Sequence, residues 1–123
     1  MSRIHSKNTA PEIAVRRLVY SLGYRYRLHS NELPGKPDLV FAKRKKVIFV
    51  HGCFWHMHPN CPKGRPPKSK LEYWLPKLKK NRSRDLRLQR KLRSQKWGVL
   101  IVWQCELKDI EKMKYKIVKF LDS

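Results

Sequence analysis

A cysteine-, histidine- and proline-rich stretch without hydrophobic periodicity, Gly52 to Ser69, follows directly on the continuous apolar run Val47 to Val50. The run reads as a strand buried on both faces. The stretch behind it is too long for a simple connection, and loops of that kind in compact domains are functional or disordered. Cys53, His56, His58 and Cys61 all lie in it, and Cys105 stands just after a second apolar segment that ends at Trp103. Any fold of this chain must therefore carry a polar, ligand-rich loop at the end of a buried strand. Three cysteines cannot close into a full set of intramolecular disulfides. Cys53, His58, Cys61 and Cys105 together have the composition of a structural Zn2+ site, which takes four Cys or His ligands in tetrahedral geometry. Such a site staples the loop to the strand carrying Val102 and Trp103. The spacing Cys-x4-His-x2-Cys is not that of a standard finger, and three buried thiols with surface histidines is the competing reading.

Charge decides what the chain meets. Thirty Lys and Arg stand against nine Asp and Glu, a formal net charge of +21 on 123 residues. A compact domain repels itself at that charge, so a polyanionic partner is expected, nucleic acid first and an anionic membrane surface second. No segment approaches transmembrane length and no signal pattern opens the sequence, which points to a cytoplasmic protein without a membrane partner. A hydrophobic content of 41% is enough for a globular core. The length fits a single domain, 1–123, whose small core would gain from a metal staple.

Along the chain, residues 1–8 form a basic, poorly patterned arm. Thr9 reads as a helix N-cap with Glu12 closing a capping box, and Ile13, Leu18, Val19 and Leu22 give the helix its apolar stripe up to Gly23. Tyr24 to Leu28 alternates aromatic and basic residues as a strand does. After a turn at Asn31 to Pro37, Asp38 to Ala42 and Lys46 to His51 read as a hairpin with a basic turn. The loop at 52–69 is followed by a helix from about Leu71 to Gln95, with Pro76 at its start or kinking it. Trp97 to Trp103 is a further strand. Asp109 to Leu121 closes the chain as a helix with Ile110, Met113, Ile117 and Leu121 on one face. This order predicts an α/β fold, a mixed sheet flanked by helices.

Asp38, after Pro37 at the head of a strand, is a candidate ligand for Mg2+, which needs only one or two protein carboxylates. In phosphodiester cleavage such an ion orients or generates the attacking water and stabilises the departing oxygen. A general base is then required, and histidine suits; His51 and His56 both stand near the end of the buried strand. A Pro-Asp pair alone is more often an ordinary turn.

Taken in order, Pro34-Gly35-Lys36-Pro37-Asp38, Val47-Ile48-Phe49-Val50-His51-Gly52-Cys53-Phe54-Trp55-His56, Glu72-Tyr73-Trp74, Lys80-Asn81 with Arg84-Asp85, and Val102-Trp103-Gln104-Cys105 closely resemble the very-short-patch repair endonucleases. These are bacterial enzymes of restriction-endonuclease-like fold that nick DNA beside the thymine of a T:G mismatch. The resemblance covers about residues 1–107, and His51-Gly52-Cys53-Phe54-Trp55-His56 is its most specific block. It implies Mg2+ on Asp38, His56 as catalytic base, and Glu12 as a further active-site acid near His56. It implies Zn2+ on Cys53, His58, Cys61 and Cys105, in agreement with the spacing argument. Phe54, Trp55 and Trp74 match aromatic residues inserted into the duplex, and Lys77, Asn81 and Asp85 match positions that read the mispaired bases. Met1 and Ile4 match an arm wedged into the minor groove. A mismatch-repair match-maker protein and a cytosine methyltransferase are the partners the resemblance implies, and the nucleoid is the implied place of action.

Plainer readings stand beside these. Glu12 has a sufficient task as capping acid or as partner of Arg16, and Asp85 as counter-charge to Arg82 or Arg84. His51 reads better as a satisfied strand-end histidine than as a chemical group. Phe54, Trp55 and Trp74 could be core, though the first two lie in a polar loop. Departures from the family pattern are a short arm before Thr9, an extra residue between His58 and Cys61, Pro76 ahead of Lys77, and Lys96 in place of a glycine. The strand Val47 to His51 also lacks the acid and lysine pair of many restriction-type sites, which leaves the chemistry to Asp38 and His56. The likeness favours a Mg2+-dependent endonuclease acting as a monomer on double-stranded DNA with a T:G mismatch. A non-catalytic zinc-containing nucleic-acid-binding module, or a related nuclease of restriction or defence, are the alternatives.

Overall fold

The computed structural model describes residues 9–28, 32–59, 61–65 and 68–123. Three helices, α1 (Ala10–Ser21), α2 (Leu71–Ser94) and α3 (Ile110–Leu121), pack on a sheet of β1 (Arg27–Leu28), β2 (Leu39–Phe41), β3 (Lys46–His51) and β4 (Gly98–Trp103). The strands lie in the order β1-β2-β3-β4. β1, β2 and β3 pair antiparallel, whereas β3 and β4 are parallel, so α2 is the crossover between them. The result is the mixed α/β sandwich that the sequence predicts.

β3 is central and buried on both sides, as its unbroken apolar run requires. One face, with Ile48, Leu39, Phe41 and Val102, packs under Val15, Leu18 and Val19 of α1 and Met113, Ile117 and Leu121 of α3. The other, with Val40, Val47 and Phe49, meets Leu92 of α2 and the half-buried Trp97, Val99 and Ile101. Each such side chain stabilises the fold by about 1.5–3 kcal/mol on burial. In the β3–β4 register His51 stands opposite Trp103, which sets Cys105 beside the loop that starts at Gly52.

Differences from expectation are local. The strand expected over Tyr24 to Leu28 shortens to two exposed residues on the sheet edge. Ile110 is exposed, leaving Met113, Ile117 and Leu121 as the buried stripe of α3. Of the two places expected for Pro76, it takes the one inside α2, where it leaves the Glu72 carbonyl without an amide partner from its own position. The loop gains a short 3-10 turn at Pro62–Gly64. No helix among the described residues is long and apolar enough to cross a membrane.

Candidate active site and metal cluster

Four elements bring their acidic and imidazole groups to one cleft of about 660 Å³. α1 contributes Glu12: the Thr9 hydroxyl accepts the Glu12 N–H at 3.4 Å, as the N-cap signal predicts. The Glu12 side chain is buried; its carboxylate accepts from Arg16 at 3.1 Å and lies within hydrogen-bond reach of Asp38. The predicted capping acid thus reaches Asp38 as well as its helix neighbour.

Asp38 is delivered by the turn ahead of β2. Its Oδ2 accepts the Val50 backbone N–H at 2.6 Å, which locks the carboxylate against β3. Burial pushes Asp38 up to about 7, helped by the charge and hydrogen bond of Glu12 and opposed by the Val50 N–H and by Arg16. Two carboxyls held together in this way favour a bound cation, which would offset their mutual repulsion.

From the end of β3 and the following loop come His51 and His56, stacked at 3.8 Å between ring centroids and 9° from parallel. His51 is buried, and its Nδ1 has no hydrogen-bond partner among the described residues. Burial pulls its pKa down to about 3, with the neighbouring His56 adding to the effect and Asp85 opposing it, so the ring is neutral. This is not the satisfied strand-end histidine that the sequence favours. His56 Nδ1 meets the carboxylate of Asp85, one turn beyond Asn81 on α2. Both side chains are largely shielded, at 18% and 15% exposure. Asp85, expected at the mispaired bases, therefore holds His56, a partnership that depends on tertiary packing and leaves no local signal in the sequence.

Phe54, Trp55 and Trp74 form one edge-to-face cluster, with ring centroids 4.9–5.6 Å apart, and Trp55 lines the cleft. The half-buried trio belongs to neither core cluster of the sheet. Tyr73 packs on Trp74, and Lys77 lies over the Tyr73 ring at 4.9 Å. α2 holds the loop through Asn81 to the Trp55 carbonyl at 3.5 Å and Arg82 to the Met57 carbonyl at 3.2 Å. Met1 and Ile4 lie outside the described residues.

Cys53, His58, Cys61 and Cys105 converge, with one ligand atom from each within 4.8 Å of all the others. The His58 Nδ1 lies 3.7 Å from the Cys53 sulfur and 3.4 Å from that of Cys105. Ligand bonds of ordinary Zn2+ length at a tetrahedral angle put N and S about 3.6 Å apart, so the cluster fits a tetrahedral ion. Burial and the crowding of Cys53 and Cys61 push the Cys105 thiol up to about 11, and a cation between the sulfurs would reverse that. Gly64 closes the loop so tightly that a Cβ there would fall 2.3 Å from the His58 carbonyl oxygen. Residues 1–63 match the family described as DNA mismatch endonuclease Vsr. The chain is 52% identical over 122 residues, 99% of its length and 89% of the relative's, to the type II nicking enzyme V.XorIIP of Xanthomonas oryzae.

This chain belongs to the Vsr family. The DNA mismatch endonuclease Vsr of Escherichia coli shares 41% identity over 113 residues, 92% of this chain and 72% of that protein. The type II nicking enzyme V.NmeAIP of Neisseria meningitidis shares 46% over 109 residues, 89% and 77% of the two lengths. As a Vsr-family member the chain is a DNA endonuclease, a hydrolase whose partner is DNA. Its strong positive charge supplies the long-range attraction to phosphate that such a partner requires.

Proposed function

We propose that this Vsr-family endonuclease nicks one strand of duplex DNA at a T:G mismatch, using Mg2+ at Asp38, with Zn2+ on Cys53, His58, Cys61 and Cys105 as scaffold. The observation that carries the chemistry is the convergence of the Glu12–Asp38 carboxyls and the His56–Asp85 pair on one cleft. When bound, Mg2+ would supply charge stabilisation at the scissile phosphate and at the departing oxygen. Asp38, locked by the Val50 N–H and backed by Glu12, would hold it. With Nδ1 engaged by Asp85, His56 has Nε2 left to take a proton from the attacking water. The Asp85 carboxylate fixes that tautomer and steadies the imidazolium that forms. Neutral His51 supports the His56 ring through the stack. Cleavage leaves a 5′ phosphate and a 3′ hydroxyl.

Phe54, Trp55 and Trp74 give mismatch preference a physical route. Inserting an aromatic wedge unstacks a base step at a cost of a few kcal/mol, least where pairing is already faulty. Lys77 and Asn81, one turn apart on α2, share a side of the helix and would contact bases beside the wedge. One chain carries the whole catalytic set, so a monomer suffices for a single nick; a match-maker protein would act on this monomer from outside the cleft.

Mg2+-dependent nicking of a T:G duplex and not of its T:A counterpart, abolished in Asp38→Ala with duplex binding kept, is the expected result. Equal loss of binding and nicking in that variant overturns the assignment of Asp38. The identity to type II nicking enzymes favours a second reading, a nuclease that serves a restriction system. Comparing T:G, T:A and methylated duplexes separates the two.

A further inference from the structure

The cleft presents three carboxyl groups, Glu12, Asp38 and Asp85, to a phosphodiester that must come close to them. Many restriction-type sites offset such charge with a lysine on the strand after the aspartate. Here that strand is β3, and the residue bonded to Asp38 is Val50, which offers only a backbone N–H. The lysine of β3, Lys46, stands at the other end of the strand, with its ammonium on the Phe120 and Ser123 carbonyls at the end of α3. Among the described residues, the Lys and Arg side chains lining the cleft are Lys36 and Arg84, and Arg84 donates to the Asn81 side chain at 3.2 Å.

Lys36 stands on a rigid turn that runs directly into Asp38. Gly35 and Lys36 are consecutive left-handed residues, with φ of +79° and +48°. Gly35 is pressed so near the Phe49 ring and Leu88 that a Cβ would lie 3.3 Å and 3.4 Å from them. Pro37, on the other side, is fully buried, and the Lys36 N–H donates to the Leu33 carbonyl at 3.2 Å. A left-handed lysine costs on the order of 1 kcal/mol. Lys45, Lys70 and Lys96 bear that cost at a hairpin turn and at helix ends. Lys36 bears it on the rim of the cleft, with its side chain exposed.

We propose that Lys36 is a further catalytic residue of this endonuclease, its ammonium meeting a non-bridging oxygen of the scissile phosphate and stabilising the charge that builds there in the transition state. The inference rests on the reading of this cleft as the place of phosphodiester cleavage. Water bonds to phosphorus as the bond from phosphorus to the 3′ oxygen breaks. The water's proton passes to His56, and the leaving oxygen takes one from solvent. Lys36 keeps its proton throughout and acts as a fixed charge.

The test is single-turnover nicking of a T:G duplex with Mg2+ by wild type, Lys36→Met, Lys36→Arg and Asp38→Ala. Lys36→Met should be about 100-fold slower, with unchanged thermal stability and duplex affinity within about threefold; Lys36→Arg should recover most of the rate. Replacing a non-bridging oxygen of the scissile phosphate by sulfur should slow wild type for one of the two isomers, and that penalty should shrink in Lys36→Met. A Lys36→Met rate equal to wild type overturns the proposal. So does a loss of affinity that matches the loss of rate, which makes Lys36 an ordinary backbone contact. Wild type that spares the T:G duplex but nicks another overturns the mismatch reading instead, and Lys36 is then measured on the duplex that is cut.

Discussion

His56 and Asp85, far apart in the chain, meet through Nδ1 and a carboxylate oxygen and tie the loop after β3 to the middle of α2. The contact occupies Nδ1 and leaves Nε2 of His56 for the proposed proton transfer. Asp85→Asn keeps the shape of the pair but lets the ring adopt the other tautomer. Its nicking rate is expected to fall by about 10² to 10⁴-fold with duplex affinity retained. Single-turnover rates beside an equilibrium binding curve measure both; an unchanged rate would mean that Asp85 serves the bases and not the histidine.

The cysteine–histidine cluster makes its own demand on Gly64. A methyl group at that position would overlap the His58 backbone, which has nowhere to go without moving the His58 ring. Gly64→Ala is expected to cost about 1–3 kcal/mol of stability and to lower metal content measured by elemental analysis. Cys105→Ala should likewise lower metal content and melting temperature, because it leaves three ligands where a closed site needs four. Full metal occupancy in either variant would dissociate the loop geometry from the ion.

Most of this frame is legible in the residues. Thr9 announces α1, the apolar run announces β3, and Met113, Ile117 and Leu121 announce the buried stripe of α3. Val15, fully buried, marks the stripe of α1 better than the half-buried Ile13 does. The strand expected over Tyr24 to Leu28 is real only in its last two residues, because an exposed sheet edge pairs briefly and alternation alone does not set its length. In the site, Asp38, His56 and the four metal-cluster residues stand out by type and neighbourhood. The roles of His51, Asp85 and the Val50 N–H arise only when strand end, helix and turn meet, so no local spacing announces them.

Acid stability should report two opposed groups. The folded state holds His51 near 3, below its ordinary 6.5, so its contribution to stability is present at neutral pH and lost as pH falls below 6.5. Asp38 is raised to about 7 from 3.8, so its contribution is present at low pH and lost as pH rises through that window. Each slope is about 1.4 kcal/mol per pH unit where it acts alone, and between 4 and 6.5 they largely cancel. His51→Asn should leave a protein that weakens as pH rises, and Asp38→Asn one that weakens as pH falls. Melting curves over pH 4 to 7 without added Mg2+ decide it; parallel profiles for the two variants would refute the assignment.

Trp74 reaches the aromatic cluster from α2, whereas Phe54 and Trp55 come from the loop, so their edge-to-face contacts also hold the loop in place. Truncating Trp74 removes one wall of the proposed wedge and the contacts it makes with the other two rings. A stacked aromatic contributes about 1–3 kcal/mol per base, so Trp74→Ala should weaken T:G duplex binding by about 5-fold to 160-fold. Affinity for the T:A duplex, set mainly by Lys and Arg on phosphate, should change little, and so should its salt dependence. Binding isotherms on both duplexes at two salt concentrations make the comparison. Equal weakening on the two would assign Trp74 to the fold of the loop and remove it from mismatch recognition.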